Sequence, residues 1–318
     1  MRLYHIYLSA LALLAFAACR KLSLDAINFG VNADSTSYQP GSPTTFTLYG
    51  NPDNITFFSG ERGHRYQYRS RISASGTPVL QFSSALNSGV QTNSLHLMIS
   101  ANFKGVAAGD TVTTVSNIGA AGWTDITSRA VLGTGTTATA SGAVNLSDYA
   151  DSGSSVYIAF RYLAVSGSIQ DKWTITGLTV TNTLPDASVY TIANLVANNT
   201  PITSNYGGAT TFSPGWVTFP VSNTYPWTVT AGTSLVIAGA ATAAAATANA
   251  ESWVIMGPLN LQKVTPDMGV AIKTMTAALP SYVYTYAAPG TYAAIFVASN
   301  YNVDRSDSIN RSINIVIQ

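Results

Sequence analysis

The chain has 318 residues, more than most single domains contain, and its formal net charge at pH 7 is only +1. So small a net charge creates no long-range field that would steer nucleic acid or anionic lipid, and we exclude nucleic acid as a partner. Only 9% of the residues are charged, and Thr, Val, Tyr and Ile occur in short runs between Gly, Pro, Asn and Ser, which predicts an all-β protein.

The amino terminus has the pattern of a secretion signal that ends at a cysteine. Arg2 precedes an apolar run, Leu8 to Ala18, that is too short to span a bilayer and is typical of a signal peptide. The run LAFAAC resembles a bacterial lipobox, and Cys19 is the only cysteine in the chain. The resemblance implies a signal peptide over 1–18, a lipid anchor on Cys19 and a tether over 19–23. The alternative is a buried helix followed by a chance cysteine.

Two segments at opposite ends of the chain each contain too few predicted strands to bury a core. The predicted strands are Asp25–Phe29, Thr44–Tyr49 and Ile55–Ser59 in residues 24–71, and Thr291–Ser299 and Ser312–Ile317 in residues 273–318. The Pro-Gly-Thr-Tyr turn at 289–292 resembles the closing half of a PKD-type immunoglobulin-like domain. We therefore predict one small immunoglobulin-like β-sandwich built from both chain ends.

The residues between these segments predict a larger sandwich organised around Val156 to Thr181. That stretch alternates as two strands joined by a polar loop, with Trp173, Ile175 and Gly177 on one face of the second strand. The strand patterns of residues 78–182 resemble the later half of choice-of-anchor J jelly-roll domains, and those of 212–262 resemble the first half. We predict one permuted jelly roll over 72–272. Two partial copies lying side by side are the alternative.

The sequence lacks the patterns of common enzyme sites, such as Gly-x-Ser-x-Gly, His-Glu-x-x-His or a phosphate-binding glycine loop. His96 alternates with leucines in SLHLMIS and is interpreted as a sheet-surface residue. Most carboxylates are aspartates in turn sequences, where the side chain bonds nearby backbone amides. We predict a protein that is not an enzyme. A glycan hydrolase stays as the third hypothesis, because sequence does not reveal how far apart two carboxylates lie.

Three aspartates, Asp148, Asp151 and Asp171, flank the stretch Val156 to Thr181. Calcium takes six to eight oxygen ligands, and oxygen-rich loops supply them. We predict no cofactor and keep calcium as the alternative.

Aromatic residues in predicted loops form the candidate ligand site, because a pocket with aromatic walls and a few polar groups is the usual small-ligand site. Trp173 and Trp253 lie inside predicted strands and are assigned to the core. The candidate ligand-binding residues are Trp123, Tyr225 and Trp227, with Arg161, Asp171 and Lys172 as their polar neighbours. The alternative for the three aromatics is packing at the rim of the sandwich.

An arginine-rich segment follows the first predicted strands. Arg65, Gln67, Arg69 and Arg71 share one face of a predicted strand whose other face carries Tyr66 and Tyr68. A charged strand face is usually a solvated edge that blocks unwanted pairing. Contact with an acidic glycan or a partner protein is the functional alternative.

Taken together, these features resemble a Bacteroidota lipoprotein family with a domain of unknown function (5017-like), often encoded beside nutrient-uptake systems. The resemblance implies an outer-membrane lipoprotein that binds glycan or a related extracellular ligand, with uptake-complex proteins as candidate partners. A structural or adhesive subunit is the rival hypothesis. The cell surface is the favoured side of the membrane. However, Arg20 to Leu24 lacks the acidic residues usual after the cysteine of surface lipoproteins in that phylum.

Overall fold

The computed structural model describes residues 26–107, 110–150, 154–195, 216–223, 225–230, 232–275 and 278–318. Contacts divide the chain into two compact units, one formed by residues up to Arg71 together with Pro266–Gln318 and the other by Ile72–Thr265. We call them the end-built unit and the inserted unit. Strands dominate both units, which confirms the all-β prediction. Cys19 lies outside the described residues.

The strands before the inserted unit are β1 (Gly30–Ala33), β2 (Ser37–Tyr38), β3 (Pro43–Tyr49) and β4 (Asn54–Phe58). The elements of the inserted unit are β5 (Thr77–Ser88), β6 (Leu95–Ser100), helix α1 (Thr111–Ala120), β7 (Thr124–Asp125), β8 (Thr139–Ala140), β9 (Val144–Asn145), helix α2 (Ser147–Ala150), β10 (Val156–Ala164), β11 (Lys172–Thr183), β12 (Val189–Asn194), β13 (Trp216–Ser222), β14 (Thr228–Thr230), β15 (Ser234–Ala238) and β16 (Ala250–Leu259). The strands after it are β17 (Val270–Lys273), β18 (Ser281–Thr285), β19 (Gly290–Tyr301) and β20 (Ser306–Ile317).

The end-built unit pairs strands from the two chain ends in both of its sheets. One sheet has the order β1-β3-β18 and the other the order β17-β4-β19-β20-β2. Its core is aromatic: Phe46 lies 5.0 Å from Phe296 and 5.7 Å from Phe57, measured between ring centroids. These three side chains are fully buried and come from β3, β19 and β4. The core of this unit therefore exists only when both chain ends are present.

Three features of the end-built unit differ from the sequence prediction. The second boundary lies at Thr265 and not at 272, because β17 pairs with β4. The first strand is Gly30–Ala33 and not Asp25–Phe29, since residues 26–29 lie outside any strand. The arginine-rich segment is not a strand: Tyr66–Tyr68 forms a 3-10 turn, and the backbone N–H groups of Tyr68 and Arg69 bond within the segment.

The inserted unit is a sandwich of two sheets. One has the order β13-β16-β10-β6-β7, and the other has the order β14-β15-β11-β5-β8, with β12 also on β11 and β9 also on β5. The strands of residues 212–262 complete both sheets, since β16 pairs with β10 and β15 pairs with β11. The two segments therefore share a single sandwich, and their apolar inner faces form one core.

The central stretch Val156 to Thr181 is an arch between the sheets and not a hairpin. β10 pairs with β6 and β16, whereas β11 pairs with β5, β12 and β15 in the other sheet. Side chains of both strands meet in the main core, as Phe160 and Ile175 do. The segment closes the sandwich by crossing it.

A bulge in β11 changes the predicted face of its second half. The pairing of β11 with β5 shifts between Thr176 and Thr179, and Gly177 has a φ of 60°, which side chains rarely tolerate. As a result Trp173 and Ile175 share the core with Leu178 and Val180, while Gly177 faces outward. Strict alternation placed Leu178 and Val180 on the opposite face.

Helix α1 is an element that the sequence analysis missed. Asp110 caps it by accepting a 2.9 Å hydrogen bond from the N–H of Thr113. Its buried residue Ile118 packs with Phe103 and Ala121 over the outer face of the β6-containing sheet. That sheet consequently buries side chains on both of its faces.

The pairing of the chain ends predicts that the end-built unit fails without residues 266–318. Truncation after Thr265 removes β18 from β3, removes both partners of β4, and leaves the core ring Phe46 without Phe296. In hydrogen-exchange mass spectrometry, we expect residues 43–58 of the truncated chain to exchange as unstructured chain does.

The internal control is the inserted unit, whose strands all remain, so β5, β10 and β11 should stay protected in the same sample. Protection of β3 and β4 at the full-length level would contradict the prediction.

Candidate functional site

The outer face of the sheet that contains β10 carries a row of four side chains. His96 of β6, Arg161 of β10, Trp253 of β16 and Phe219 of β13 pair directly with one another in that order. His96 lies between the inward-facing Leu95 and Leu97, and Arg161 lies between the inward-facing Phe160 and Tyr162. We call this set the Arg161 row. It joins a cation to two aromatic rings on one sheet surface.

Arg161 is held in place from two sides. Its Nε donates a 2.9 Å hydrogen bond to Oε1 of Glu251, and its guanidinium lies 5.4 Å from the centre of the Trp253 ring. The same carboxylate oxygen accepts a 2.8 Å bond from Trp253 Nε1. The Arg161 side chain is 33% exposed, and its two Nη atoms bond to none of the described residues. A fixed guanidinium therefore presents its terminal N–H donors at the surface.

His96, at one end of the row, forms a second polar pair with Asp125. Nδ1 of His96 lies 2.8 Å from Oδ2 of Asp125, and Nε2 lies 2.9 Å from the carbonyl oxygen of Asn93. Burial opposes ionisation of Asp125, but hydrogen bonds from Thr127 and His96 outweigh it, so the pKa of this carboxyl lies below its usual value. Asp125 is thus a carboxylate at neutral pH, and both ring nitrogens of His96 are engaged.

Trp123 forms an aromatic wall beside the row. Its ring centroid lies 5.1 Å from that of Trp253 and 5.7 Å from that of Phe103. Its Nε1 donates a 3.0 Å bond to the carbonyl of Ile118, which anchors the indole to the end of α1. The ring is half-buried, so part of it is available at the surface.

An apolar groove continues from the Phe219 end of the row. It encloses about 320 Å³ between α1 and β13 and is lined by Thr111, Val112, Val115, Phe219, Pro220 and Val221. Phe219 belongs to both the groove and the Arg161 row. Because paired strands lie about 4.8 Å apart, Arg161 and Phe219 are separated by roughly 10 Å. Polar donors and an apolar groove therefore adjoin on one surface.

Two of the six predicted ligand residues, Trp123 and Arg161, come together here, and Trp253 lies between them. Trp227 was wrongly predicted as an exposed aromatic: it is only 3% exposed, packs 6.2 Å from Phe160 and donates to the carbonyl of Ser252. Tyr225 is half-buried and packs against the same core. Lys172 is exposed, but it begins β11 in the other sheet.

Asp171 was wrongly predicted as a surface contact, because it is fully buried. Its carboxylate accepts hydrogen bonds from the hydroxyl of Ser94 and, at 3.0 Å, from the N–H of Gln91. Its backbone carbonyl accepts a 2.8 Å bond from the hydroxyl of Tyr162. A buried carboxylate needs such donors, and these fasten the arch to the neighbouring strands. The role of Asp171 is therefore structural.

The three aspartates considered for calcium do not form one site in the described residues. Asp148 makes a two-bond contact with Arg129 at 2.7 and 2.9 Å. α2, which carries Asp148, lies near the start of β5, whereas Asp171 lies beyond its end, where Lys172 pairs with Ser88. Val79, which pairs with Asn145, and Ser88 are nine positions apart on β5, roughly 30 Å along the strand, so the two aspartates cannot share an ion. Asp151 lies outside the described residues.

Sequence reasoning missed Glu251, Asp125 and Phe219 as members of this surface and placed Trp253 in the core only. Trp253 is indeed 3% exposed, yet it faces the outer cluster and supports Arg161. His96 lies at the sheet surface, as interpreted. The alternation of β6, β10 and β16 gave the face of each residue, but no local signal gave the register that aligns them.

The different burial of Trp227 and Trp123 predicts that their replacement has different effects on stability. Trp227→Ala removes a core ring, and we expect the free energy of unfolding of the inserted unit to fall by about 3–5 kcal/mol. Trp123→Ala removes a half-buried ring and should cost about 1–2 kcal/mol. Urea unfolding followed by circular dichroism measures both. Equal losses for the two variants would contradict the assignment of Trp227 to the core and Trp123 to the surface.

In the described part of the chain, no helix combines the length and apolar character that a membrane-spanning segment needs. Comparison with known families finds a match over residues 18–200 to the model described as Domain of unknown function (DUF5017). Neither a curated protein nor a solved structure matches the chain.

The matched range does not coincide with a structural unit. It ends before β13–β16, which complete both sheets of the inserted unit, and before β17–β20, which complete the end-built unit. It nevertheless spans more than half of the sequence. On that evidence the chain belongs to the DUF5017 family of proteins with a domain of unknown function.

Proposed function

We propose that this protein is a non-catalytic outer-membrane lipoprotein whose Arg161 row binds a glycan or a related extracellular ligand for a nutrient-uptake system. Within this proposal Cys19 carries the lipid, and the protein is a Bacteroidota lipoprotein whose inserted unit is related to choice-of-anchor J jelly rolls. The LAFAAC run before the single cysteine and the strand patterns of residues 78–182 and 212–262 support these assignments.

The observation that carries the binding proposal is the fixed guanidinium of Arg161. Glu251 and Trp253 hold it, while its Nη atoms bond to none of the described residues. Four N–H donors in a fixed fork suit hydroxyl, ring or carboxylate oxygens of a sugar. The half-buried rings of Trp123 and Phe219 supply apolar surface for its C–H faces. Polar donors beside aromatic surface are what saccharide binding requires.

The contacts of the titratable groups favour binding over catalysis. Glu251 already accepts bonds from Arg161 and Trp253, and Asp125 accepts from His96. The ring of His96 contacts oxygen atoms through both nitrogens, so neither is directed at a substrate. A hydrolase would need one carboxylic acid that donates a proton to the leaving group, and the pKa of Asp125 is lowered, which keeps it ionised.

A structural or adhesive subunit is the second candidate, and the groove beside α1 favours it. Val112 is 79% exposed, and Val115 and Phe219 extend the apolar surface next to it. Exposed apolar surface of this kind also suits a protein partner. The two candidates differ in which residue matters: a sugar depends on Arg161, whereas a protein partner in the groove depends on Val112.

Replacement of Arg161 tests the proposed site. The chain from Arg20 to Gln318, screened on a glycan array, should bind at least one glycan, and Arg161→Ala should weaken that binding by about 1.5–3 kcal/mol, the value of hydrogen bonds to a charged group. Titration of the glycan into each variant measures the loss.

Arg129→Ala is the matched control, since it also removes a partly exposed arginine paired with a carboxylate, and neither Arg129 nor its partner Asp148 belongs to the row. It should bind as the unchanged protein does. Equal binding by Arg161→Ala would reject this site. Selective loss of a protein partner in Val112→Asp would favour the structural subunit.

Replacement of Cys19 tests the anchor separately. Cys19→Ala should release the protein from membranes or leave it as uncleaved precursor, because the acyl chains have no other attachment site in the sequence. Membrane fractionation and the mass of the product measure both outcomes. A mature-length Cys19→Ala protein that stays with the membranes would show that another feature holds it there.

A further inference from the structure

The arginine-rich segment of the end-built unit carries a concentrated positive charge. Arg62, Arg65, Arg69 and Arg71 fall within ten residues, and Glu61 is the only acidic residue in 61–71. The segment thus carries a formal charge of +3 (four arginines minus one glutamate), while the whole chain carries +1. The remaining residues sum to −2, so this segment is an exception to the charge of the rest of the protein.

Aromatic rings and one buried carboxylate hold three of these four guanidinium groups in place. The guanidinium groups of Arg65 and Arg71 lie 4.5 and 3.9 Å from the ring centre of Tyr68, and that of Arg69 lies 3.9 Å from the ring centre of Tyr66. Asp267 pairs with Arg65 at 3.1 Å and lies 3.8 Å from Arg71. We call these arginines with their two tyrosines the Arg–Tyr cluster. Its members Arg62 and Arg69 are exposed.

Exposed apolar side chains lie next to the Arg–Tyr cluster. The N–H of Met268 donates a 2.8 Å bond to the carbonyl of Gly63, beside Arg62, and Met268 is 67% exposed. Val270 follows on β17 and is also exposed. A positively charged surface with projecting aliphatic side chains is the combination that binds the headgroup region of an anionic membrane.

The chain enters the end-built unit at a residue that contacts β20, the strand that also contacts the cluster. The carbonyl of Phe29 accepts a bond from Arg311, and the adjacent residue Asn310 donates a 2.7 Å bond to the hydroxyl of Tyr66. Six residues separate Cys19 from Ala26, and a chain extends by at most about 3.5 Å per residue, so an anchor on Cys19 lies within about 25 Å of Ala26. Arg20 and Lys21 add positive charge directly after the cysteine.

We propose that the Arg–Tyr cluster, with Met268, is a membrane-binding surface that contacts the anionic headgroups of the bilayer to which the chain is anchored. This inference rests on the lipid anchor of the proposed function but not on the ligand site. Guanidinium groups bind phosphate oxygens in pairs, and Tyr66 and Tyr68 keep the side chains ordered before contact. The surface would hold the end-built unit against the membrane.

Vesicle binding by the chain from Arg20 to Gln318, which contains every described element and has no lipid, tests this surface apart from the anchor. We expect it to sediment with phosphatidylcholine vesicles that contain phosphatidylglycerol, to bind less as salt rises, and not to sediment with pure phosphatidylcholine. Arg62→Gln with Arg69→Gln should lower the partition coefficient about fivefold for each arginine.

Arg305→Gln with Lys104→Gln is the matched control, because it removes two exposed charges outside the cluster. It should keep most of the binding. Equal loss in both double variants, binding to neutral vesicles, or no binding by the unchanged chain would overturn the proposal. Tighter binding of a soluble acidic polysaccharide by the same arginines would also overturn it, in favour of an acidic glycan. The Arg62→Gln, Arg69→Gln variant should still bind on the glycan array. The membrane-binding proposal and the proposal for the Arg161 row can therefore fail independently.

Discussion

The buried carboxylate of Asp171 is the interaction on which the inserted unit depends. A charge removed from water is tolerated only where donors replace the lost hydration, and here the donors come from Ser94 and Gln91, next to β6. Trp173 Nε1 donates to the same Ser94 hydroxyl at 2.8 Å. The bonds fasten the crossing between β10 and β11 to the strand beside β10. In this way the bonds help to fix the register of β10 relative to β6.

The position of β10 relative to its neighbours then determines the outer surface. Arg161 meets His96 on one side and Trp253 on the other only in the observed register. A shift by one residue would turn Arg161 into the core and Phe160 outward, because side chains alternate along a strand. The buried Phe160, with its edge contact to Phe82 at 5.1 Å, therefore opposes such a shift. Core packing on the inner face holds the polar groups on the outer face in place.

The sequence predicted the parts of the fold that depend on local pattern. Alternation located β3, β4 and β10 and assigned Trp173 and Trp253 to buried positions. It failed at Gly177, because a bulge changes the face without changing the composition. It also missed α1, whose β-branched threonines and valines disfavour a helix, although the Asp110 cap favours one.

The site was less predictable than the fold, because its members come from strands far apart in sequence. His96, Arg161 and Trp253 align through backbone pairing that no nearby residue specifies. Trp227 shows the opposite error: a tryptophan flanked by Pro226 and Thr228 looked like a loop residue, but its ring reaches inward and its Nε1 finds the carbonyl of Ser252. Composition near a residue says little about which side of the sheet its ring occupies.

Both units use the same means to order an arginine. In the inserted unit Glu251 and Trp253 hold Arg161, and in the end-built unit Asp267 and Tyr68 hold Arg65 and Arg71. The two sites differ in the number of arginines for each carboxylate. Glu251 matches the single charge of Arg161, which leaves directional N–H donors with little net field. Four arginines near Asp267 and Glu61 keep a net positive charge. By this reasoning the Arg161 row selects a ligand through hydrogen-bond geometry, whereas the Arg–Tyr cluster attracts an extended anionic surface through its field.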